Sequence, residues 1–151
     1  MDALTGRLFH LSKILRLAKQ AWSHQQRPAA PPGSVVTLAL IKEMGEQATG
    51  CHAKELAARA GLDPSTVSRT VATLVALGLI ERRADPHDGR ATVLALTGAG
   101  EKLLAEAQDW FQGVLTRVLD GFAPDEIACL GRFLAALEAE FVNTPALPAA
   151  R

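Results

Sequence analysis

Ser65-Thr66-Val67-Ser68-Arg69, with Thr73 one turn on, sets several hydroxyls and one guanidinium on a short segment that carries no acid. Hydroxyls and guanidinium groups bond phosphate oxygens and base edges, and small residues between them let a backbone come close to a partner. Laid out at helical spacing, Val67, Val71 and Leu74 gather on one side with Val75 at its margin. Ser65, Ser68, Arg69, Ala72, Thr73 and Ala76 take the far side, and Thr66 borders it. Arg69 has two chemistries open to it, bidentate pairing with guanine or a clamp on phosphate. Ser65, Thr66, Ser68 and Thr73 are candidate contacts to phosphate or base, without a ranking among them; the plain alternative is a set of surface hydroxyls.

A second constellation follows at Arg82-Arg83-Ala84-Asp85-Pro86-His87-Asp88-Gly89-Arg90. Asp-Pro and Asp-Gly break the chain between Gly78-Leu79-Ile80-Glu81 and the apolar run Ala91 to Leu96, so the stretch reads as strand, tip, strand. At such a tip Asp88 can fix the Arg90 guanidinium, and Arg90 can enter a narrow minor groove, where negative potential attracts it. Alternation along a strand sends Arg82 and Arg83 to opposite sides, and Arg83, nearer the tip, is favoured as the one facing nucleic acid. His87 is a candidate phosphate contact.

These groups need elements to hold them. Ala53 to Arg59 is helical in composition and Gly61-Leu62 stops it; Asp63 then serves as N-cap and Pro64 as first-turn residue of the next helix. Two short helices joined by a tight turn, followed by a two-stranded ribbon, make a winged helix-turn-helix. Leu4, Leu8, Leu11, Leu15, Ala18 and Trp22 predict an amphipathic helix over residues 4 to about 24, ended by the Pro28 to Gly33 stretch. Ser34 is expected to cap a helix bearing Val35, Leu38, Ile41 and Met44. Thr97 is expected to cap another, with Gly98 and Gly100 weakening its first turn. That helix carries Leu103 through Leu119 to Gly121, and Pro124-Asp125-Glu126 opens a last one with a stripe of Ile127, Leu130, Phe133, Leu134, Leu137 and Phe141.

Leu56-Ala57, Ser65-Thr66-Val67-Ser68-Arg69, Gly78-Leu79-Ile80-Glu81-Arg82, Asp88-Gly89-Arg90 and Leu96-Thr97, in this order, resemble the signature of the MarR (multiple antibiotic resistance regulator) family of bacterial transcription factors. The likeness covers nearly the whole chain. It implies a mainly α protein with a small β-wing, a winged helix-turn-helix flanked by N- and C-terminal dimerisation helices. The implied division is 1–33 and 98–144 for dimerisation, 34–97 for DNA binding and 145–151 as a tail. The family's Asp-x-Arg wing supports Arg90 as a DNA contact with Asp88 positioning it, although Gly89 stands where many relatives carry another arginine. The resemblance also implies a small aromatic or amphipathic effector between the two parts. In this chain Trp22, Pro32 and Ser34 are the residues that could line such a crevice.

Composition limits the other possibilities. The chain of 151 residues fits one domain, and its 16 basic residues equal its 16 acidic ones. Zero net charge argues against a strongly basic nucleic-acid binder, but the balance is uneven: residues 1–33 are basic and residues 103–151 acidic. Phosphate attraction is therefore expected to be modest per subunit, which favours a homodimer. The terminal helices carry more apolar surface than a small winged helix covers, which points the same way. No apolar run suits a membrane span and no signal-peptide core begins the chain, so a cytoplasmic protein is expected.

Cys51 and Cys129 form no disulfide framework or zinc motif, and His10, His24, His52 and His87 have no metal-ligand spacing. His52 stands where a Ser or Thr cap is expected, a poor cap in the plain account. A redox role for Cys51 ranks below an inert one, and the family's peroxide sensors place their cysteine in the N-terminal dimer region, where this chain has none. No nucleophile elbow, phosphate loop or paired carboxylates indicate catalysis, and no cofactor is called for. The expectation is thus a regulator, in the sense of a repressor of a pseudopalindromic site in double-stranded DNA. Its rivals are an architectural DNA-binding protein without effector and a protein-interaction adaptor that has lost DNA affinity.

Overall fold

Hydrophobic spacing translates directly into the central elements. The computed structural model describes residues 2–25, 31, 33–47, 50–86 and 88–143. In chain order they form α1 (Asp2–Gln25), α2 (Ser34–Gly45), α3 (Ala53–Ala60), α4 (Pro64–Ala76), β1 (Ile80–Ala84), β2 (Thr92–Leu96), α5 (Gly98–Leu119) and α6 (Pro124–Asn143). The chain divides into two compact units, residues 1–110 and 111–151.

In the first unit, Leu38 and Ile41 of α2, Leu56 of α3, Val67, Val71 and Leu74 of α4, Ile80 and Leu94 of the strands and Leu104 of α5 form one buried cluster. Trp22 of α1 packs against it. Its ring lies 5.6 Å from that of Trp110 at a tilt of 53°, within the range of favourable aromatic pairs. The turn between α3 and α4 uses Gly61 at φ 61°, a left-handed conformation that costs glycine little. Strands β1 and β2 pair antiparallel with Ile80 opposite Leu96 and Arg82 opposite Leu94. The wing is a hairpin, as its turn residues predict.

Helix starts follow the sequence less closely. Ser34 is not the cap of α2 but its first residue; Gly33, at φ 95°, holds the cap position, and Ser34 Oγ donates to the Pro31 carbonyl at 2.7 Å. A left-handed φ is open to glycine and strained for serine, so the boundary falls one residue early. Thr97 does cap α5: its Oγ1 accepts from Gly100 N at 3.2 Å and donates to the Gly78 carbonyl at 2.6 Å. Gly100 also permits a close approach, because a Cβ there would lie 2.0 Å from the Leu79 carbonyl oxygen.

The second unit holds the end of α5 and all of α6. Glu126 accepts the Ala123 amide at 2.8 Å, closing the first turn of α6 in the manner of a capping box. Phe111, Val118, Phe122, Leu130, Leu134 and Phe141 are exposed here, as are Phe9, Ile14, Leu15 and Leu17 of α1 in the first unit.

Candidate nucleic-acid interface

The far side of α4 is built by exclusion. Val67, Val71 and Leu74 enter the core at 3% exposure or less, so Ser65, Thr66, Ser68, Arg69, Ala72, Thr73 and Ala76 face outward and are exposed. Asp63 occupies the N-cap position, yet its side chain makes no capping bond. Its carbonyl accepts the amides of Thr66 and Val67 instead. Pro64 has no amide hydrogen, so of the first turn only the Ser65 amide is not bonded to Asp63 and can face an anion at the positive end of the helix. Thr73 Oγ1 donates to the Arg69 carbonyl and Thr70 Oγ1 to that of Thr66, each at 3.0 Å, which leaves the Thr73 oxygen an acceptor. Arg69 has no ion-pair partner among the described residues.

On the wing the two arginines diverge as strand alternation requires. Arg83 Nε donates to Glu81 Oε1 at 2.8 Å and Nη2 donates to the same oxygen. Both residues are exposed, so water weakens the pair without removing it. The Arg83 guanidinium is thus engaged by Glu81, whereas Arg82 has no such partner among the described residues.

The tip is organised by its aspartates. Asp85 Oδ1 accepts the Asp88 amide at 3.3 Å, Asp88 Oδ1 accepts the Arg90 amide at 3.0 Å, and the Ala91 amide reaches the Asp88 carbonyl at 2.8 Å. Asp88 therefore positions Arg90 through its backbone and not, as expected from sequence, through its guanidinium. A carboxylate two residues ahead of an amide closes an Asx-turn, a shorter reach than a side chain bent back on itself. The Arg90 side chain is exposed without an ion-pair partner among the described residues. His87 lies outside the described residues.

One residue at this site escaped the reading of spacing. His52 makes no capping bond to α3. Its ring spans to the wing instead, with Nε2 3.2 Å from Asp85 Oδ2 and Nδ1 3.3 Å from the Thr92 carbonyl oxygen. A contact forty positions away in sequence leaves no local signal.

Trp22 is half-buried beside Trp110, Ser34 is buried with its hydroxyl engaged by Pro31, and Pro32 is outside the described residues. A groove of about 600 Å³ lies elsewhere, between the C-terminal end of α2 and the wing, with Ile41, Gly45, Glu46, Arg83, Val93 and Leu96 among its walls. Cys51 is fully buried; its Sγ–H points at Met44 Sδ 3.9 Å away. Burial, and then the nearby Glu55 carboxylate, push its thiol up to about 11, so it is not a poised thiolate. Among the described residues no cluster of His, Cys, Asp and Glu could hold a metal, and no helix is long and apolar enough to cross a membrane.

Residues 31–91, which contain α2, the helix-turn-helix and the wing tip, match the model of the MarR family. This stretch, less than half of the 151 residues, is what the chain shares with that family's model. It is 34% identical over 90 residues to an HTH-type transcriptional regulator, YxaD, of Bacillus subtilis (strain 168), covering 60% of this chain and 63% of that protein. It is 36% identical over 77 residues to the HTH-type transcriptional regulator BilQ of Clostridium symbiosum (strain WAL-14163), covering 51% and 54%. The matched segments thus span a little over half the length of these curated relatives. Among solved structures, Streptococcus pneumoniae FabT in complex with DNA superposes with a TM-score of 0.76 at 18% identity, over 93% of this chain and 96% of that one. CouR from Rhodococcus jostii RHA1 bound to p-coumaroyl-CoA gives 0.67 at 26% identity, over 92% and 94%. The fold is therefore the mainly helical MarR winged helix.

Proposed function

We propose that this chain is a MarR-family, sequence-specific DNA-binding transcription regulator, a cytoplasmic homodimer that represses from a pseudopalindromic site and is released by a small aromatic or amphipathic molecule. The observation that carries the reading is the exposed face of α4. Hydroxyls, small residues and an unpaired Arg69 stand clear of the core, and the same subdomain carries a wing whose tip presents Arg90. Ser65, Thr66, Ser68, Arg69 and Thr73 would meet base edges and phosphates in the major groove, and Arg90 the minor groove. Asp88 would hold the tip in shape, with Arg83 and His87 as phosphate contacts. That FabT was solved on DNA supports a winged helix of this shape as a DNA reader.

Dimerisation is supported by the apolar side chains that α1 and α6 leave in water, from Phe9 and Ile14 to Leu130 and Phe141. A second copy would cover them and double the phosphate contacts of a chain with no net charge. Effector control is supported by CouR having been solved with an aromatic acyl-thioester, and by the half-buried Trp22, which packs against the core of the winged helix. Residues Pro32 and Ser34 would border that site.

The test is a titration of DNA flanking the chain's own gene, read by gel shift, with light scattering on the same sample. A salt-sensitive complex of two chains per duplex supports the reading; a chain that stays monomeric and binds no duplex tighter than random DNA overturns it. For the effector, an unchanged Trp fluorescence and DNA affinity across a panel of phenolic compounds would remove that part alone.

A further inference from the structure

The His52 ring lies between two acceptors. The Thr92 carbonyl can only accept, so Nδ1 facing it at 3.3 Å must donate. Asp85 Oδ2, 3.2 Å from Nε2, also accepts when ionised. Both contacts are satisfied at once only if the His52–Asp85 pair holds one proton more than a neutral imidazole beside a carboxylate. The proton sits either on the ring, making it imidazolium, or on Asp85, which then donates to Nε2. Asp85 is 9% exposed, and its other oxygen holds the Asp88 amide, while Asp88 in turn holds the Arg90 amide. A chain of bonds therefore runs from the N-cap of α3 to the arginine at the wing tip.

We propose that His52 is a positioning residue for DNA binding: through a proton shared with Asp85 it clamps the tip end of the wing strands to the helix-turn-helix and so aims Arg90. The proposal rests on the DNA-binding reading above. Wing and recognition helix must meet DNA in a fixed relation, and a hairpin tied to the segment before α3 by the Leu94 amide on the Cys51 carbonyl gains from a second brace, nearer its tip, that restricts its swing before binding. The charged groups around the brace are Glu55 and Lys54 on α3, Asp88 at the tip, and Arg83, Lys42, Glu46 and Glu101, which line a groove with Asp85.

Two variants separate a clamp from a filler. His52→Ala removes both bonds. Asp85→Asn places an amide donor opposite Nε2, so a neutral ring can keep both contacts with no extra proton. In the DNA-free protein, we expect ¹⁵N shifts of the His52 ring to report the shared proton, and hydrogen exchange at the Asp88, Arg90 and Ala91 amides to quicken in His52→Ala but not in Asp85→Asn. On a fluorescein-labelled duplex from the DNA flanking the chain's gene, His52→Ala should bind about tenfold more weakly than wild type, the scale of one charge-assisted bond. Asp85→Asn should stay closer to wild type.

Unchanged wing exchange in His52→Ala overturns the clamp. So does an Asp85→Asn protein that exchanges and binds like His52→Ala, which would mean the bridge to Asp85 is not what holds the wing. A wild-type chain that binds no duplex overturns the DNA-binding reading, and the positioning role with it, while the exchange measurement still separates that failure from the absence of a brace.

Discussion

Gly98 and Gly100 sit in the same turn of α5, and substituting alanine should move stability in opposite directions. Helix propensity alone favours alanine at both, by up to about 1 kcal/mol in a helix interior and less at the first positions. At Gly98 nothing lies within 4 Å of the added Cβ, so Gly98→Ala should stabilise by a few tenths to about 1 kcal/mol. At Gly100 the Cβ would lie 2.0 Å from the Leu79 oxygen and 3.0 Å from its carbonyl carbon. Those are backbone atoms between α4 and β1, with no rotamer to yield. The Leu79 carbonyl also accepts the Thr97 amide at 3.1 Å, so displacing it strains the cap that starts the helix. Overpacking of about 1–3 kcal/mol plus a weakened hydrogen bond of about 1 kcal/mol exceeds the propensity gain. Gly100→Ala should therefore destabilise by roughly 2–3 kcal/mol. Urea unfolding followed by circular dichroism measures both, as shifts of midpoint at constant slope. A Gly100→Ala protein as stable as wild type would refute the close approach of α5 to Leu79.

Two further outcomes follow from burial. Because the Cys51 thiol is buried and raised to about 11, an aromatic disulfide reagent at neutral pH should titrate only the exposed Cys129 in the folded chain and both cysteines in urea. Equal rates for the two thiols in the folded protein would contradict this. Leu130→Glu and Leu134→Glu place charge on side chains that are 47% exposed in the single chain, so each should leave the helix content intact yet shift light scattering to monomer or to aggregate. A variant that remains a dimer of unchanged affinity would mean that this face of α6 is not covered by a second copy.

The residues that were readable in sequence are those whose behaviour is local. Val67, Val71 and Leu74 reveal the buried side of α4 by spacing, Thr97 announces its cap, and Asp-Pro with Asp-Gly breaks the wing where the hairpin turns. Ser34 misleads because the usual preference for serine at a cap gives way to a left-handed Gly33. Asp88 was legible as a positioning residue but not in its choice of partner, since an amide two residues on and a guanidinium compete for the same carboxylate. The pairing of Arg83 with Glu81 is a matter of rotamers on one strand face. His52 looks like a defective cap from sequence because its partners, Asp85 and Thr92, come near only after the wing folds back. The burial of Cys51 likewise belongs to the assembled core.

The central claim, that α4 reads bases while the wing grips the backbone and minor groove, is tested most directly by comparing Arg69→Ala and Arg90→Ala. Each is titrated onto the operator and onto single-base variants of it, at several salt concentrations. Arg69→Ala should cost about 1–3 kcal/mol per half-site and flatten the preference at one base position. Arg90→Ala should weaken all the duplexes alike and make the salt dependence shallower by roughly one unit per subunit. If both substitutions leave affinity and salt dependence at the wild-type values while the protein stays folded, α4 and the wing tip are solvated surface and the account is wrong.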